Sequence, residues 1–514
     1  MLKKIKVTTL LLLSVIIFCF GCFIETREKE ENTDVNAETL VTENIYLQIK
    51  NTENKKIYPL YLEEEEVYLF CVPNLQGGDE AVIIMEFPEE KIEESIVLSK
   101  QKTIELCVSE IKYVFQFLIN NGTSTVFLDT ETENGFDYLC ESKENSLPGK
   151  LMIYDKEGAL QYNGAMEHIH GRGNDSWGAL KSGFSIKLAR EGNLLNMGYD
   201  KDYVLIPGYR DYSLLTYQIV WDLCKELQWE YALSGELVQL YVDGSYRGMY
   251  FLTEEIEAGM ERINIPENAT CLSGYVFEYD ILDYELEDVR VETSRGNSYT
   301  FVSPKLPTIE QQEYCSRFWN EFEDALFSQD GYNYLNRHYT EYADMESLAA
   351  QWLFYELSGE ISIASSVYYY IDGVGTEKEK LYAFCPWDVE HSFVSKDYVE
   401  ASRMKDTAIQ FVNGFWTKMS SHEEFREEIR RQWKERFLPA LEILLAEDMI
   451  KNPAGVSSLA YYSAEYNRAS ELNEALCGES HAFDKKAQQI QQWLELRIAY
   501  LNENLWRDDF FEED

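Results

Sequence analysis

The chain has 514 residues and a formal net charge of −45, from 46 basic and 91 acidic side chains. So strong a negative charge repels nucleic acid and anionic lipid head groups, and we therefore expect no nucleic-acid partner. Aromatic residues make up 14% of the chain, which excludes disorder over most of its length, and the length suits two or three domains.

The N-terminus is typical of a targeting segment. A basic start is followed by an apolar run over 10–20, which is shorter than a typical membrane-spanning helix. The run ends at Gly21-Cys22, a small residue before a cysteine, which resembles a bacterial lipobox. We predict a lipoprotein-type signal peptide over 1–22 with lipidation of Cys22. The alternatives are an uncleaved anchor or cleavage elsewhere, and each of them also exports the protein.

The next segments lead from the membrane to the folded chain. Residues 23–45 are polar and acidic, as expected of a flexible acidic tether. Residues 46–145 alternate short apolar runs with polar turns, which predicts a small β domain, either a spacer or an adhesion module. We therefore expect a protein on the extracellular face of the cell membrane, attached only through its N-terminal lipid.

The pattern becomes more specific after residue 145. A strand, a glycine-rich loop and a second strand follow one another. Within the second strand, Phe184, Ile186 and Leu188 alternate with polar residues, the period of a half-buried strand. The alternation places Lys187 on the face opposite to the apolar side chains.

A helix and a hairpin follow. Apolar residues that recur every four positions predict a helix over 212–228, capped by Asp211 or Ser213. The dipeptide Asp243-Gly244 between two apolar runs predicts a β-hairpin. The chain thus continues to mix strands with helix.

The region from residue 311 is predicted to be mainly helical, with one late β segment that carries CPWDVEH at 385–391. The predicted order is strands, a helix, more strands and then helices, which indicates a fold of two parts. We predict the α+β class and an atypical protein-kinase-like two-lobe fold with a preceding small β domain. The kinase-like N-lobe covers 146–310 and the helical kinase-like C-lobe covers 311–514.

Two carboxylates stand two residues apart directly after the apolar strand of this late segment. Asp388 and Glu390 follow Pro386 and Trp387. They indicate either a metal site or an ordinary solvated turn. A glycosidase is the weaker interpretation, because two carboxylates on one strand do not flank a sugar from opposite faces.

Several blocks together resemble the spore coat protein H (CotH) kinase family over about 146–505. They are HIHGRGNDSW, KSGFSIKL, VQLYVDGSYRGMYFLTEEIE, GYVFEYD and LYAFCPWDVEHSF. The resemblance implies an atypical secreted protein kinase. Such a kinase uses ATP with Mg²⁺ or Mn²⁺ to phosphorylate Ser on extracellular proteins.

The resemblance also implies roles for the basic residues. Arg172 and the backbone of Gly173 and Asn174 match a loop that cradles phosphates. Lys187 resembles the lysine that pairs with ATP phosphates, and Lys181 is a second candidate for this role. The alternative is that Lys187 is an ordinary solvent-facing strand residue and that Arg172 belongs to a structural ion pair.

The acidic positions match the family only in part. Asp388 resembles the metal aspartate of the family, and Glu390 stands where a second Asp is usual; both offer the hard oxygen ligands that Mg²⁺ or Mn²⁺ prefers. The expected catalytic Asp falls on Ser362, a poor base, and Glu360 is the nearby acid that would replace it. The resemblance thus implies a catalytic set of Lys187, Asp388 and Glu360.

A missing base typically lowers the rate by ~10²–10⁴. The substitution at Ser362 therefore leaves two hypotheses open. The first is a working kinase that transfers the ATP γ-phosphate to Ser. The second is a catalytically impaired pseudokinase that acts as a cell-surface binding or structural protein.

Overall fold

A computed structural model gives the fold. It describes residues 44–50, 55–108, 110–120, 122–132, 135–173, 177, 179–209, 211–279, 288–360, 366–393, 414–478 and 482–511. The larger of two compact units consists of Ile45–Met85 and Lys91–Asp514, and it contains every site discussed below. The described residues of the smaller unit are Asn44 and Glu86–Glu90. The predicted signal peptide and Cys22 lie outside the described residues, as does nearly all of the predicted tether, and they stay predictions.

Eight strands form two four-stranded sheets in the first part of the chain. The strands are β1 (Asn44–Ile49), β2 (Lys56–Ile57), β3 (Leu60–Leu62), β4 (Val67–Val72), β5 (Glu80–Glu86), β6 (Lys91–Val97), β7 (Thr103–Val108) and β8 (Ile111–Ile119). Their orders are β2-β1-β5-β6 and β3-β4-β8-β7. The strands predicted from the short apolar runs of this region are therefore confirmed, whereas its status as a separate domain stays a prediction.

Seven further strands close into a barrel. They are β9 (Ser124–Asp129), β10 (Ser146–Tyr154), β11 (Leu160–Arg172), β12 (Gly183–Asn193), β13 (Tyr199–Ile206), β14 (Gly235–Val242) and β15 (Ser245–Glu254). Their order is β10-β11-β12-β13-β15-β14-β9, and β9 pairs back onto β10. The barrel therefore includes one strand from the segment 46–145. Phe184, Ile186 and Leu188 lie in the barrel's core, which confirms the predicted alternation along β12.

The predicted helix and hairpin are both present. The first two helices are α1 (Gly135–Glu141) and α2 (Leu215–Glu226). Leu214, at φ 58°, occupies the N-cap position of α2 and makes no side-chain cap hydrogen bond, so the capping predicted for Asp211 or Ser213 is confirmed for the bonds they accept but not for the position. The Ser213 hydroxyl accepts from the Leu215 N–H at 3.2 Å and the Asp211 carboxylate accepts from the Thr216 N–H at 3.4 Å, so both side chains satisfy N–H groups in the first turn of α2. The hairpin of β14 and β15 turns at Asp243-Gly244, both at positive φ.

A five-stranded sheet follows in the order β17-β18-β16-β19-β20. Its strands are β16 (Tyr275–Tyr279), β17 (Arg290–Glu292), β18 (Ser298–Ser303), β19 (Val367–Asp372) and β20 (Lys380–Ala383). The last two strands are the late β segment that the sequence predicts. All neighbouring strands in this sheet run antiparallel.

The remaining elements are helices. They are α3 (Ile309–Phe327), α4 (Tyr339–Tyr342), α5 (Met345–Ser358), α6 (Gly414–Ser420), α7 (Glu423–Gln432), α8 (Leu438–Leu444), α9 (Leu459–Cys477) and α10 (Ala482–Asn504). A π-helical turn, Trp433–Phe437, joins α7 to α8. The described part of the chain is therefore a mixed α+β protein with several sheets and ten α-helices. Within it, no helix combines the length and apolarity needed to cross a bilayer.

The core that matters for the site joins α2 to the end of β20. Trp221 of α2 lies 5.8 Å from Trp387, measured between ring centroids. Trp229, just after α2, donates its indole N–H to the Ala383 carbonyl at 3.2 Å. These contacts hold the segment that follows β20 against α2, and this segment carries Asp388 and Glu390.

Candidate functional site

Asp388 and Glu390 lie in the loop that follows β20. Asp388 has φ 46°, in the left-handed region that a non-glycine residue rarely adopts and that costs about 1–3 kcal/mol. The Glu390 carboxylate accepts a hydrogen bond from the Tyr209 N–H at 3.3 Å. Burial, and next the charge of Asp388, raise the pKa of Glu390 to about 7. The chain thus holds two mutually repelling carboxylates in a strained loop.

Glu360 lies against the same loop. Helix α5 ends at Ser358, Gly359 caps it in the left-handed conformation at φ 66°, and Glu360 follows directly. Its side chain is fully buried. The Ser392 hydroxyl donates to the Glu360 carboxylate at 3.0 Å, and the Phe393 N–H donates to the Ser358 carbonyl at 2.9 Å. The structure therefore brings Glu360 to the loop of Asp388 and Glu390.

Tyr217 of α2 is the residue on which these acids converge. Its ring stacks on Phe251 at a centroid distance of 5.7 Å. Burial raises the pKa of the Tyr217 hydroxyl well above its usual value, and the charges of Glu390, Asp388 and Glu360 raise it further. Sequence reasoning missed Tyr217, because its place in an apolar helix indicates nothing more than a core residue.

Lys181 is a buried basic residue on which the charge of Glu390 acts. It is only 4% exposed, and its ammonium group donates to the Met249 carbonyl at 2.7 Å. Burial lowers the pKa of Lys181 to about 8, against the opposing charges of Asp211 and Glu390 among others. A second buried lysine, Lys486 of α10, lies 3.8 Å from the Asp211 carboxylate, and no motif in the sequence points to it.

Arg172 reaches the loop from the barrel. Its guanidinium group lies 5.4 Å from the centre of the Trp387 ring and donates to the Glu255 carboxylate at 3.1 Å. The next residue, Gly173, has φ 97°, which a residue with a side chain rarely adopts. Arg172 therefore stands beside Trp387, the neighbour of Asp388, but as one half of an ion pair.

Lys187 has a different neighbourhood. Its ammonium group bonds both oxygens of Asp202 on the adjacent strand, at 3.0 and 2.8 Å, and this bonding raises the pKa of Lys187. Asp202 belongs to a group with Asp200 and Glu257 in which one ligand atom of each residue lies within 4.8 Å of the others. Arg262 also approaches this group, with its Nε 3.7 Å from Asp200. Lys187 is thus paired with an acidic group on the barrel side.

A pocket of about 330 Å³ lies next to this group. Apolar side chains such as Tyr231 and Phe384 line it together with acids and Arg262. Burial raises the pKa of Glu254 to about 7 and the pKa of Glu257 to about 8. The Arg262 guanidinium, which donates to the Glu254 carboxylate at 2.9 Å, opposes the effect of burial on the pKa of both carboxyl groups.

The residues around Asp388 suit a divalent cation by the chemistry of their ligand atoms, whereas among the described residues three possible ligand atoms lie within 4.8 Å of one another at Asp200, Asp202 and Glu257. Asp388 and Glu390 supply hard oxygen ligands, and the raised pKa of Glu390 shows that its charge is disfavoured by burial and by Asp388. A divalent cation would relieve both effects. The group at Asp202 fits a cation less well, because Lys187 and Arg262 already contact its carboxylates.

Other predicted positions lie outside the described residues. They are Asn174 of the phosphate loop and Ser362, on which the expected catalytic Asp falls. Their roles stay predictions.

A mixed α+β fold with a closed barrel and an acidic site suited to a divalent cation is compatible with a phosphate-transferring protein. The family model described as CotH kinase protein matches residues 169–501, which is more than half of the chain. The chain therefore belongs to the CotH kinase family, as the sequence resemblance predicts. This membership indicates an atypical kinase-like protein and suggests the use of ATP and a divalent metal. No curated protein gives a match to the chain.

Proposed function

We propose that this protein is an exported atypical protein kinase that transfers the ATP γ-phosphate to Ser of surface or extracellular proteins. The observation that carries the proposal is that Glu360, through its hydrogen bond from Ser392, lies at the loop of Asp388 and Glu390, where Tyr209 holds the Glu390 carboxylate. The proposal takes the barrel as the N-lobe and the later helices as the C-lobe of a kinase-like fold. Family membership supports this assignment.

Each residue has a physical role in the proposed reaction. A divalent ion, Mg²⁺ or Mn²⁺, bound by Asp388 and Glu390 would supply neutralising charge for the phosphates. The Tyr209 N–H orients the Glu390 carboxylate. Lys181 provides a buried positive charge for the phosphates. Glu360, fixed by the Ser392 hydroxyl, accepts the proton of the acceptor serine or orients its hydroxyl group.

The proposal assigns the nucleotide base to the 330 Å³ pocket. Glu255 lines this pocket and pairs with Arg172, and Arg172 contacts Trp387 beside Asp388. A continuous line of contacts therefore leads from the pocket to the acidic site. Arg172 stands on this line, where it is positioned to bind phosphate if it exchanges Glu255 for the nucleotide.

Export and lipid attachment at Cys22 belong to the proposal and rest on the sequence of residues 1–22 alone. They are compatible with a substrate on the cell surface. Radiolabelled fatty acid incorporated into the wild-type protein, and lost in Cys22→Ala, would support the anchor.

A second candidate is a pseudokinase that binds partners at the cell surface. The specific observation in its favour is that Lys187 and Arg172, the two expected phosphate-binding residues, each pair with a carboxylate of the barrel side. A nucleotide would have to compete with Asp202 and Glu255 for them. On this hypothesis the chain retains the acidic residues at Asp388 but lacks the residues needed for efficient phosphate transfer.

The test is phosphate incorporation by the full chain, since a fragment that starts at 146 would remove β9 from the barrel. The chain is incubated with ATP, MnCl₂ and dephosphorylated casein, and phosphoserine is measured by mass spectrometry. Glu360→Gln should lower the rate by ~10²–10⁴. The matched control is Glu236→Gln, which alters a partly buried carboxylate that accepts from Ser124 on the barrel. Binding of ATP without any transfer would favour the pseudokinase.

A further inference from the structure

The C-terminal helix α10 contacts the short segment of chain that ends at Glu360. We propose that Trp493 and Arg497 of α10 are positioning residues that hold Glu360 at the acidic site. This inference rests on the proposed function, because it assigns α10 a part in the same reaction.

Arg497 holds the last turn of α5. Its Nε donates to the Glu356 carbonyl at 2.6 Å, and its Nη2 donates to the Glu356 carboxylate at 2.7 Å. The Arg497 side chain is 1% exposed and that of Glu356 is fully buried. Charge-assisted hydrogen bonds in a buried site are strong and directional. The pair therefore fixes α5 to α10 four residues before Glu360.

Trp493 holds the residues between this pair and Glu360. Its indole N–H donates to the Leu357 carbonyl at 2.7 Å. Its ring lies against Gly359, so closely that a Cβ atom on Gly359 would come within 2.4 Å of the ring. Gly359 has φ 66°, so both its conformation and this contact require glycine. Trp493 thus sets the path by which the chain leaves α5 and reaches Glu360.

The fixed segment connects to the loop of Asp388. The Glu360 carboxylate accepts from Ser392, and the Ser358 carbonyl accepts from the Phe393 N–H. The contacts run from α10 to the end of α5 and from there to the loop of the metal-binding candidates. The nucleotide-binding candidates Lys181 and Arg172 lie on the barrel side. Lys181 is held by the Met249 carbonyl and Arg172 by the Glu255 carboxylate, and neither bond involves α10. A weakened α10 contact should therefore impair the chemical step more than ATP binding.

The test compares two buried tryptophans. In Trp493→Phe the hydrogen bond to Leu357 is lost, whereas in the control Trp433→Phe a similar bond of 2.8 Å to Asn502 of α10 is lost. We expect Trp493→Phe to lower kcat about tenfold, equivalent to about 1.4 kcal/mol, and to leave KM for ATP within about twofold. Trp433→Phe should leave both within about twofold. Equal effects of the two variants on kcat would overturn the proposal.

A second variant guards against a folding defect. Arg497→Lys keeps the positive charge beside Glu356 but cannot reproduce both of the guanidinium hydrogen bonds. It should fold and show a smaller loss of kcat than Trp493→Phe, again with KM for ATP unchanged. A loss of ATP affinity without a loss of kcat would contradict the positioning role.

Hydrogen exchange separates this inference from the proposed function. The Gly359 N–H bonds the Tyr355 carbonyl and the Glu360 N–H bonds the Ser358 hydroxyl, so both amides report on the segment. Their exchange should be faster in Trp493→Phe and unchanged in Trp433→Phe. If the wild type transfers no phosphate, the proposed function fails, but hydrogen exchange still tests whether α10 fixes the segment that ends at Glu360. If exchange at both amides is unchanged in Trp493→Phe, the positioning role is overturned.

Discussion

The buried pair of Arg497 and Glu356 gives the sharpest prediction about stability. Both side chains are at most 1% exposed, so Arg497→Met removes the guanidinium group from a carboxylate that water cannot reach. Breaking a buried pair on one side costs about 3–5 kcal/mol of unfolding free energy. In the double variant Glu356→Met with Arg497→Met, both members of the ion pair are removed, so neither leaves the other's charge buried, and the bond of Arg497 to the Glu356 carbonyl is lost as well. We expect that variant within about 2 kcal/mol of wild type.

The assay is urea unfolding followed by tryptophan fluorescence, with the free energy of unfolding taken from the transition. The matched control is Arg431→Met, because Arg431 is 41% exposed and two of its carboxylate partners, Glu346 and Glu435, are more than half exposed, while the third, Glu428, is 18% exposed. That change should cost less than about 1 kcal/mol. The reasoning is refuted if Arg497→Met costs no more than Arg431→Met, or if the double variant is less stable than Arg497→Met alone.

Three further predictions concern charge at the sites. Burial raises the pKa of Glu257 from 4.5 to about 8, so the folded chain binds the extra proton between these values and its stability falls as pH rises through them. Glu257→Gln should therefore match wild type in thermal unfolding at pH 5 and exceed it at pH 9; identical pH dependence would contradict the assignment. Asp388→Asn should abolish Mn²⁺-dependent ATP binding in calorimetry, whereas Asp202→Asn should change the ATP affinity less than about threefold. A larger loss of affinity in Asp202→Asn than in Asp388→Asn would place the metal site on the barrel. Arg172→Met should raise KM for ATP about tenfold without changing kcat, and an unchanged KM would leave Arg172 as a structural partner of Glu255.

Local patterns were sufficient for much of the fold. The alternation along β12 is confirmed because successive side chains of a strand point to opposite faces. One face of the barrel strand is buried and the other is not, so apolar and polar residues alternate in the sequence. The Asp243-Gly244 hairpin is confirmed because both residues adopt positive φ, a local requirement. The helix α2 begins at Leu215, later than predicted, but Asp211 and Ser213 still accept from N–H groups of its first turn, as the sequence predicts.

The site could be predicted only in part, because its members come together through tertiary packing. Asp388 and Glu390 are visible in the sequence as a pair, and Glu360 was named as a replacement acid. Their approach to Tyr217 depends on how α2 packs against the end of β20, and no sequence period carries that information. Lys187 illustrates the limit, since its position on β12 was predicted correctly but its partner Asp202 lies on the neighbouring strand.

The central claim is phosphate transfer to serine at the site of Asp388. The most direct measurement is the mass of phosphate on dephosphorylated casein and on the full chain itself after incubation with ATP and MnCl₂, in parallel with Asp388→Ala. We expect phosphoserine with the wild type and none with Asp388→Ala. A folded wild type that leaves no phosphate on either protein, or equal phosphate with Asp388→Ala, would contradict it.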